Sequence, residues 1–193
     1  PGPDGDDPVV YFTFDDGPHP TYTPQILDVL AQYDAAATFW NIGQQVGPNT
    51  ALAQRMISEG HVVGNHTWSH PDLTKVDRTQ FFAEIDSTDE AILLATGRQP
   101  TCLRPPYGAR NSTVDAEAAE AGLDIVLWDI DPQDWRRPGV DAIVDNVLSF
   151  AAPGSIVLMH DGGGVRDETV AALSRVLAGL SERGYRFEAL PCN

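Results

Sequence analysis

Short apolar runs alternate along this chain with longer stretches in which apolar residues recur every three or four positions. The short runs are rich in β-branched and aromatic residues and predict seven strands, over 9–14, 37–41, 61–65, 101–104, 125–129, 155–160 and 185–190. The longer stretches predict helices over about 23–33, 49–59, 78–95, 111–121, 140–150 and 167–183. Boundary residues agree with these spans: Thr23-Pro24 reads as an N-cap and first helical position, and Gly97, Gly122 and Gly184 stand where a left-handed residue closes a helix. Alternating strand and helix is the signature of parallel βαβ units. Seven such units around one core predict an α/β fold, a distorted (β/α)7 TIM-like barrel of a single domain.

The polar residues fall where such a fold would use them. Asp15-Asp16, Asn65-His66, Arg104, Asp129 with Asp131, and His160-Asp161 all lie at or just past the C-terminal ends of predicted strands. That rim carries the catalytic groups in barrels of parallel strands.

At 193 residues, 42% apolar and 21% charged, the chain is long enough for one domain with a substantial core, placed over 9–193. The breaker-rich, acidic stretch 1–8 reads as a linker or processed N-terminal stub. No apolar run approaches a membrane span, so no membrane association is expected. A net charge of −16 argues against nucleic acid as a partner, because phosphate-binding surfaces need clustered Lys and Arg. Cys102 and Cys192 fit either a disulfide of an exported protein or two buried thiols of a cytosolic one. The bridge is the preferred reading, and it would tether the C-terminus to the segment carrying Arg104.

Two patches supply the parts of a one-metal hydrolase. In His66-Thr67-Trp68-Ser69-His70 two histidines spaced i, i+4 can turn both imidazoles to one side, and one of the adjacent acids Asp15 and Asp16 can add a third ligand. The other acid is left as a general base. Three protein ligands keep a coordination position open for water, whose pKa the metal lowers toward neutrality. The bland alternatives are ordinary loop histidines and an Asp-Asp-Gly-Pro turn after a strand.

Arg104-Pro105-Pro106-Tyr107-Gly108 is a stiffened turn whose fixed N–H groups can form an oxyanion hole, or else a rigid surface turn with a solvated arginine. Asp129, Asp131 and Asp134 surround Trp135, whose flat face suits a sugar ring or an acetyl methyl. The strand ending in His160 offers a general acid, or a structural histidine. His19 reads as turn surface and His61 as a strand residue. No G-x-S-x-G elbow is present, and Gly162-Gly163-Gly164 lacks the lysine of a phosphate loop and reads as a flexible connection. Of two glycosylation sequons, the one at Asn65 is discounted because a glycan there would crowd the metal residues; the one at Asn111 stays open.

With these motifs in order along the chain, the sequence resembles the carbohydrate esterase family 4 polysaccharide deacetylases, which share the NodB homology domain. The resemblance rests on Thr13 to Asp16, His66 to His70, Arg104 to Gly108, Asp131 to Trp135 and Leu158 to His160. It implies that Asp16, His66 and His70 bind one divalent metal ion, Zn²⁺ with Co²⁺ or Ni²⁺ as substitutes, and that Asp15 is the catalytic base. It implies that Arg104 holds Asp15 ionised, that the Tyr107 N–H helps hold the oxyanion, and that His160 is the general acid. Asp134 would tune His160, with Asp131 as the alternative, while Trp135 and Leu158 would line an acetyl-methyl pocket. Trp68, Trp135 and Asp131 would meet substrate. The implied protein is a secreted, monomeric chitin or chitooligosaccharide deacetylase that also removes O-acetyl groups from acetylxylan, with peptidoglycan N-acetylglucosamine deacetylation as the alternative. Outside the family, the rivals are a metal-free glycoside hydrolase pairing Asp15 with Asp131, which leaves the histidines idle, and an inactive carbohydrate-binding module, against which the complete motifs argue.

Overall fold

The computed structural model describes residues 8–192, so the leader predicted over 1–8 lies outside the described residues except for Pro8. The expected strands form as β1 (Val9–Asp15), β2 (Ala37–Asn41), β3 (Val62–Asn65), β4 (Cys102–Leu103), β5 (Asp124–Ile125), β6 (Ile156–His160) and β7 (Arg186–Phe187). Every pairing is parallel, in the order β5-β4-β3-β2-β1-β6, and β7 joins the start of β1 through Val9 and Val10. The sheet curls into a distorted barrel that is thin on one side. Beyond β5 the chain leaves strand geometry and meets β6 through an isolated bridge between Ile130 and Val157. The strand predicted over 125–129 is cut short for a chemical reason: the carbonyls of Val126 and Leu127 are taken by the Arg104 guanidinium, at 3.2 and 2.9 Å.

Side-chain alternation sorts β1 into two faces. Val10, Phe12 and Phe14 pack with Phe39 of β2 and with Leu27 and Leu30 of α1 (Tyr22–Gln32) and Leu173 and Leu177 of α7 (Asp167–Glu182). Each such buried side chain contributes roughly 1.5–3 kcal/mol relative to its exposed state. Thr13 and Asp15 take the opposite face, inside the barrel, where both meet Arg104. Register then levels the strand ends. Asp15 lies beside Trp40 on one flank and His160 on the other, and Asn41 lies beside Asn65.

The remaining helices are α2 (Gly43–Val46), α3 (Thr50–Ser58), α4 (Arg78–Thr96), α5 (Ser112–Glu120) and α6 (Val140–Phe150). Only α2 has no counterpart in the sequence pattern, being too short to show a period. The cap of α1 also differs, with Thr21 rather than Thr23 at the N-cap. The Thr23 hydroxyl is committed elsewhere, accepting from the His19 N–H and donating to the buried Asp161 carboxylate. Asp77 caps α4, Gly97 closes it in the left-handed conformation, and Asn111 caps α5 by accepting from Thr113 and Val114 N–H. Cys102 and Cys192 form a disulfide spanning a sequence separation of 90. It packs with Trp40, Val62 and Leu190 in a separate small core. Among the described residues no helix is long and apolar enough to cross a membrane.

Candidate active site

Asp15 ends β1 pointing into the barrel, and Asp16 turns the chain out with a left-handed φ of 74°, a conformation that Asp tolerates better than bulkier residues. Arg104 is fully buried rather than solvated at a surface turn. Its Nη1 donates to Asp15 Oδ1 at 2.8 Å and to Thr13 Oγ1 at 2.6 Å, and its charge is spread over the faces of Trp40 and Trp128. A buried carboxylate thus meets a buried cation whose other donors are already occupied by backbone carbonyls.

The histidine pair rides on a loop, not a helix. Thr67 and His70 have φ of 68° and 64°, so the loop persists only because neighbouring groups over-determine it. Asn65 Oδ1 accepts from the Thr67 N–H at 2.7 Å while its amide donates to Ile85 O and Asp89 on α4. The Gly43 and Gln44 N–H groups of α2 donate to Thr67 O and Trp68 O. Glu84, on α4, accepts from both the N–H and the hydroxyl of Ser69 at 2.7 Å. The loop's exposed-looking polar sequence is in fact almost wholly tied to two helices.

This anchoring aims both Nε2 atoms at one carboxylate oxygen. Asp16 Oδ1 lies 3.4 Å from His66 Nε2 and 3.2 Å from His70 Nε2. That oxygen is buried and makes no hydrogen bond, and one donor atom from each of Asp16, His66 and His70 can be drawn within 4.8 Å of the others. An orphaned carboxylate oxygen facing two imidazole nitrogens is a donor set that suits a borderline-soft divalent cation. Burial pushes the Asp16 carboxyl up, but the two imidazoles outweigh it and hold it well below the usual carboxylate range, so it is ionised as a ligand must be. The rings are held from behind as well: His66 Nδ1 lies 2.7 Å from Arg104 O, and His70 Nδ1 lies 3.2 Å from the Tyr107 hydroxyl.

Across the cavity, His160 is braced by Asp134. His160 Nδ1 lies 2.7 Å from Asp134 Oδ1, the His160 N–H donates to Oδ2 at 2.9 Å, and Thr169 donates to the same oxygen at 2.7 Å. Asp131 does not share this role; its Oδ1 accepts from the Gln133 N–H. Burial pulls the His160 imidazolium down, but its hydrogen bond with Asp134 and the charges of Asp134, Asp15 and Asp16 outweigh that and raise its pKa.

Asp15, Asp16, His66, His70 and His160 share a cavity of about 580 Å³ whose wall includes Leu158, Trp135, Asp131 and Tyr107. Trp68 is not part of it; the indole packs on Gly43, where a Cβ would come within 2.4 Å of the ring. Trp128, Ile42, Gly163 and Arg166 line the cavity without having been singled out in the sequence. Trp128 lay hidden within a predicted strand. Gly163 was legible only as flexible, yet its left-handed φ of 69° and the Asp16 Oδ2 atom 2.3 Å from a built Cβ show a glycine required by close approach.

Over residues 2–126 the sequence matches the polysaccharide deacetylase family. This chain belongs to that family. It is similar to a chitooligosaccharide deacetylase of Sinorhizobium fredii, with 44% identity across 96% of this chain and 92% of that one. It is likewise similar to a peptidoglycan-N-acetylglucosamine deacetylase of Bacillus cereus, with 46% identity across 93% of this chain and 84% of that one. Among solved structures, a family 4 carbohydrate esterase from Streptomyces lividans superposes with a TM-score of 0.87 at 37% identity, covering 93% of this chain and 91% of that one. In this polysaccharide deacetylase domain the strand-end acids Asp15 and Asp16 and the histidines His66, His70 and His160 line one cavity, with Arg104 buried behind Asp15.

Proposed function

We propose that this chain is a metal-dependent deacetylase that hydrolyses the N-acetyl amides of chitooligosaccharides. One observation carries the reading: Asp15 gripped by Arg104 and His160 gripped by Asp134 share one cavity with the Asp16, His66 and His70 donor set. Asp16, His66 and His70 would hold a divalent cation of the zinc type, which would supply Lewis acidity and bring the pKa of water toward neutrality. Asp15 works as the base through Oδ2, since Arg104 occupies Oδ1. Arg104 keeps that carboxylate oriented until the proton arrives. The Tyr107 N–H donates to the oxygen on which negative charge develops, and Leu158 and Trp135 enclose the acetyl methyl. With Nδ1 engaged by Asp134, His160 presents Nε2 to the departing nitrogen and delivers its proton there. Sugar ester oxygens leave with less help, so O-deacetylation of acetylxylan fits the same machinery.

Peptidoglycan N-acetylglucosamine is the second substrate reading, favoured by the 46% identity to the Bacillus cereus deacetylase. The Cys102–Cys192 bridge supports action outside the reducing cytosol, as expected of a secreted enzyme on polymeric substrate. Mass spectrometry of products from chitopentaose, acetylated xylan and peptidoglycan fragments, with and without chelator, tests the proposal. Loss of acetyl units that chelation abolishes is expected. Shortened chains would indicate glycoside hydrolysis through Asp15 and Asp131, and unchanged oligomers a binding module.

A further inference from the structure

Both metal-facing histidines are backed by the same turn, but by groups of different chemistry. His66 is fully enclosed, with 2% of its side chain exposed, and its Nδ1 meets the carbonyl of Arg104, an obligate acceptor. His70 is 23% exposed and its Nδ1 meets the hydroxyl of Tyr107 instead. The two rings stand edge to face, centroids 4.7 Å apart. Tyr107 itself is 69% exposed and has a left-handed φ of 62°, an unfavourable conformation for a bulky side chain. No core burial offsets that strain. What the conformation achieves is the approach of the phenol to His70.

We infer that Tyr107 is a positioning residue for the metal centre, its phenol oxygen holding His70 by accepting the Nδ1–H. The inference rests on the metal-centre reading above and adds to it a side-chain role distinct from the Tyr107 backbone amide. Once His70 commits Nε2 to a cation, Nδ1 must carry the ring hydrogen, so the hydroxyl is the acceptor. That bond fixes the ring's rotation and strengthens the imidazole as a ligand. The 104–107 turn thereby holds three members of the site: Asp15 through the Arg104 guanidinium, His66 through the Arg104 carbonyl and His70 through the Tyr107 hydroxyl.

The test is Tyr107→Phe, which removes one exposed oxygen and leaves the backbone amide in place. Metal-free wild type and variant are titrated with zinc against a competing chelator, and their metal-free melting temperatures are compared. The expected result is a loss of zinc affinity of about 10–100-fold with unchanged metal-free melting. In the zinc-loaded proteins, the His70 Nδ1–H resonance should be protected from solvent exchange in wild type and lose that protection in Tyr107→Phe. Equal zinc affinity in the two proteins overturns the inference while leaving the metal centre standing. A weakened affinity with Nδ1–H protection retained assigns the effect to the loop and overturns it as well. Failure of the wild type to bind zinc removes the metal centre and the inference together.

Discussion

Reducing the Cys102–Cys192 bridge is the perturbation whose size follows most directly from the structure. The bridge closes a sequence separation of 90. In the chain-entropy relation, a loop of that length removes about 15 cal/mol/K from the unfolded ensemble, or about 4.6 kcal/mol at 25 °C. For a domain of this size each kcal/mol moves the melting temperature by roughly 2–4 °C, so reduction should lower it by about 9–18 °C. The native state should tolerate the loss, because Cys102, Cys192, Trp40, Val62 and Leu190 remain packed together. Differential scanning calorimetry of the oxidised protein, the reduced protein and the Cys102→Ser/Cys192→Ser double variant, with thiols counted in denaturant, measures the effect. A reduced protein that titrates two thiols yet melts within about 2 °C of the oxidised one would refute the reasoning, since such a shift is worth no more than about 1 kcal/mol.

His160→Ala should depress chitooligosaccharide turnover by about 10²–10⁴-fold and acetylxylan turnover by less, because an amine must be protonated to leave; equal losses at unchanged metal content would remove His160 as leaving-group acid. Asp15→Asn should retain metal and lose most activity, whereas His66→Ala should lose metal, and elemental analysis separates the two. Gly163→Ala drives a Cβ to 2.3 Å from Asp16 Oδ2 and should weaken zinc binding, while Gly122→Ala, equally left-handed but with open space around it, should cost only about 1–2 kcal/mol of stability and leave zinc affinity alone. His61 is buried with its pKa pulled down to about 4 from 6.5 by desolvation, while Ala37 N–H donates to its Nδ1. Between pH 6.5 and 4 only the unfolded chain takes up this proton, so stability should fall as pH drops through that window, by up to about 3 kcal/mol. His61→Gln should flatten that part of the denaturation profile, and an unaltered profile would contradict it.

The strands and the site were legible in the sequence for one reason: apolar runs must be buried, and polar residues at their ends have nowhere to go but the rim. Asp15, Asp16, His66, His70, Arg104 and His160 were all placed by that logic; the cavity brings the acids and histidines together, and Arg104 reaches it through Asp15. The supports were not legible. Asn65 holds its near neighbour Thr67 only because distant Asp89 fixes its amide, and Glu84 reaches Ser69 from α4, on a loop whose left-handed residues carry no composition signal. The choice between Asp131 and Asp134 depended on a tight turn with Gln133 and Arg137 left-handed on either side, which no periodicity encodes. Trp68 packs on Gly43 and is not among the cavity's lining residues, and an aromatic in a ligand loop looks the same in sequence whether it faces the cavity or a glycine of α2.

The unevenness of the sheet sets the order in which the molecule can come apart. β1 is laddered along most of its length to β2 and β6, whereas β4 and β5 are two residues each and β3 reaches β4 through the pair Asn65 and Leu103. Short ladders open at lower cost than long ones, so sub-global opening begins on the β4–β5 side. Arg104 and its turn belong to that side, while the acid they hold belongs to the other. Heating should therefore separate Asp15 from its cation before the core melts, so that loss of activity is expected to precede the unfolding transition. Cys102 lies within this weak seam, two residues from Arg104, which places the disulfide where slack would first develop.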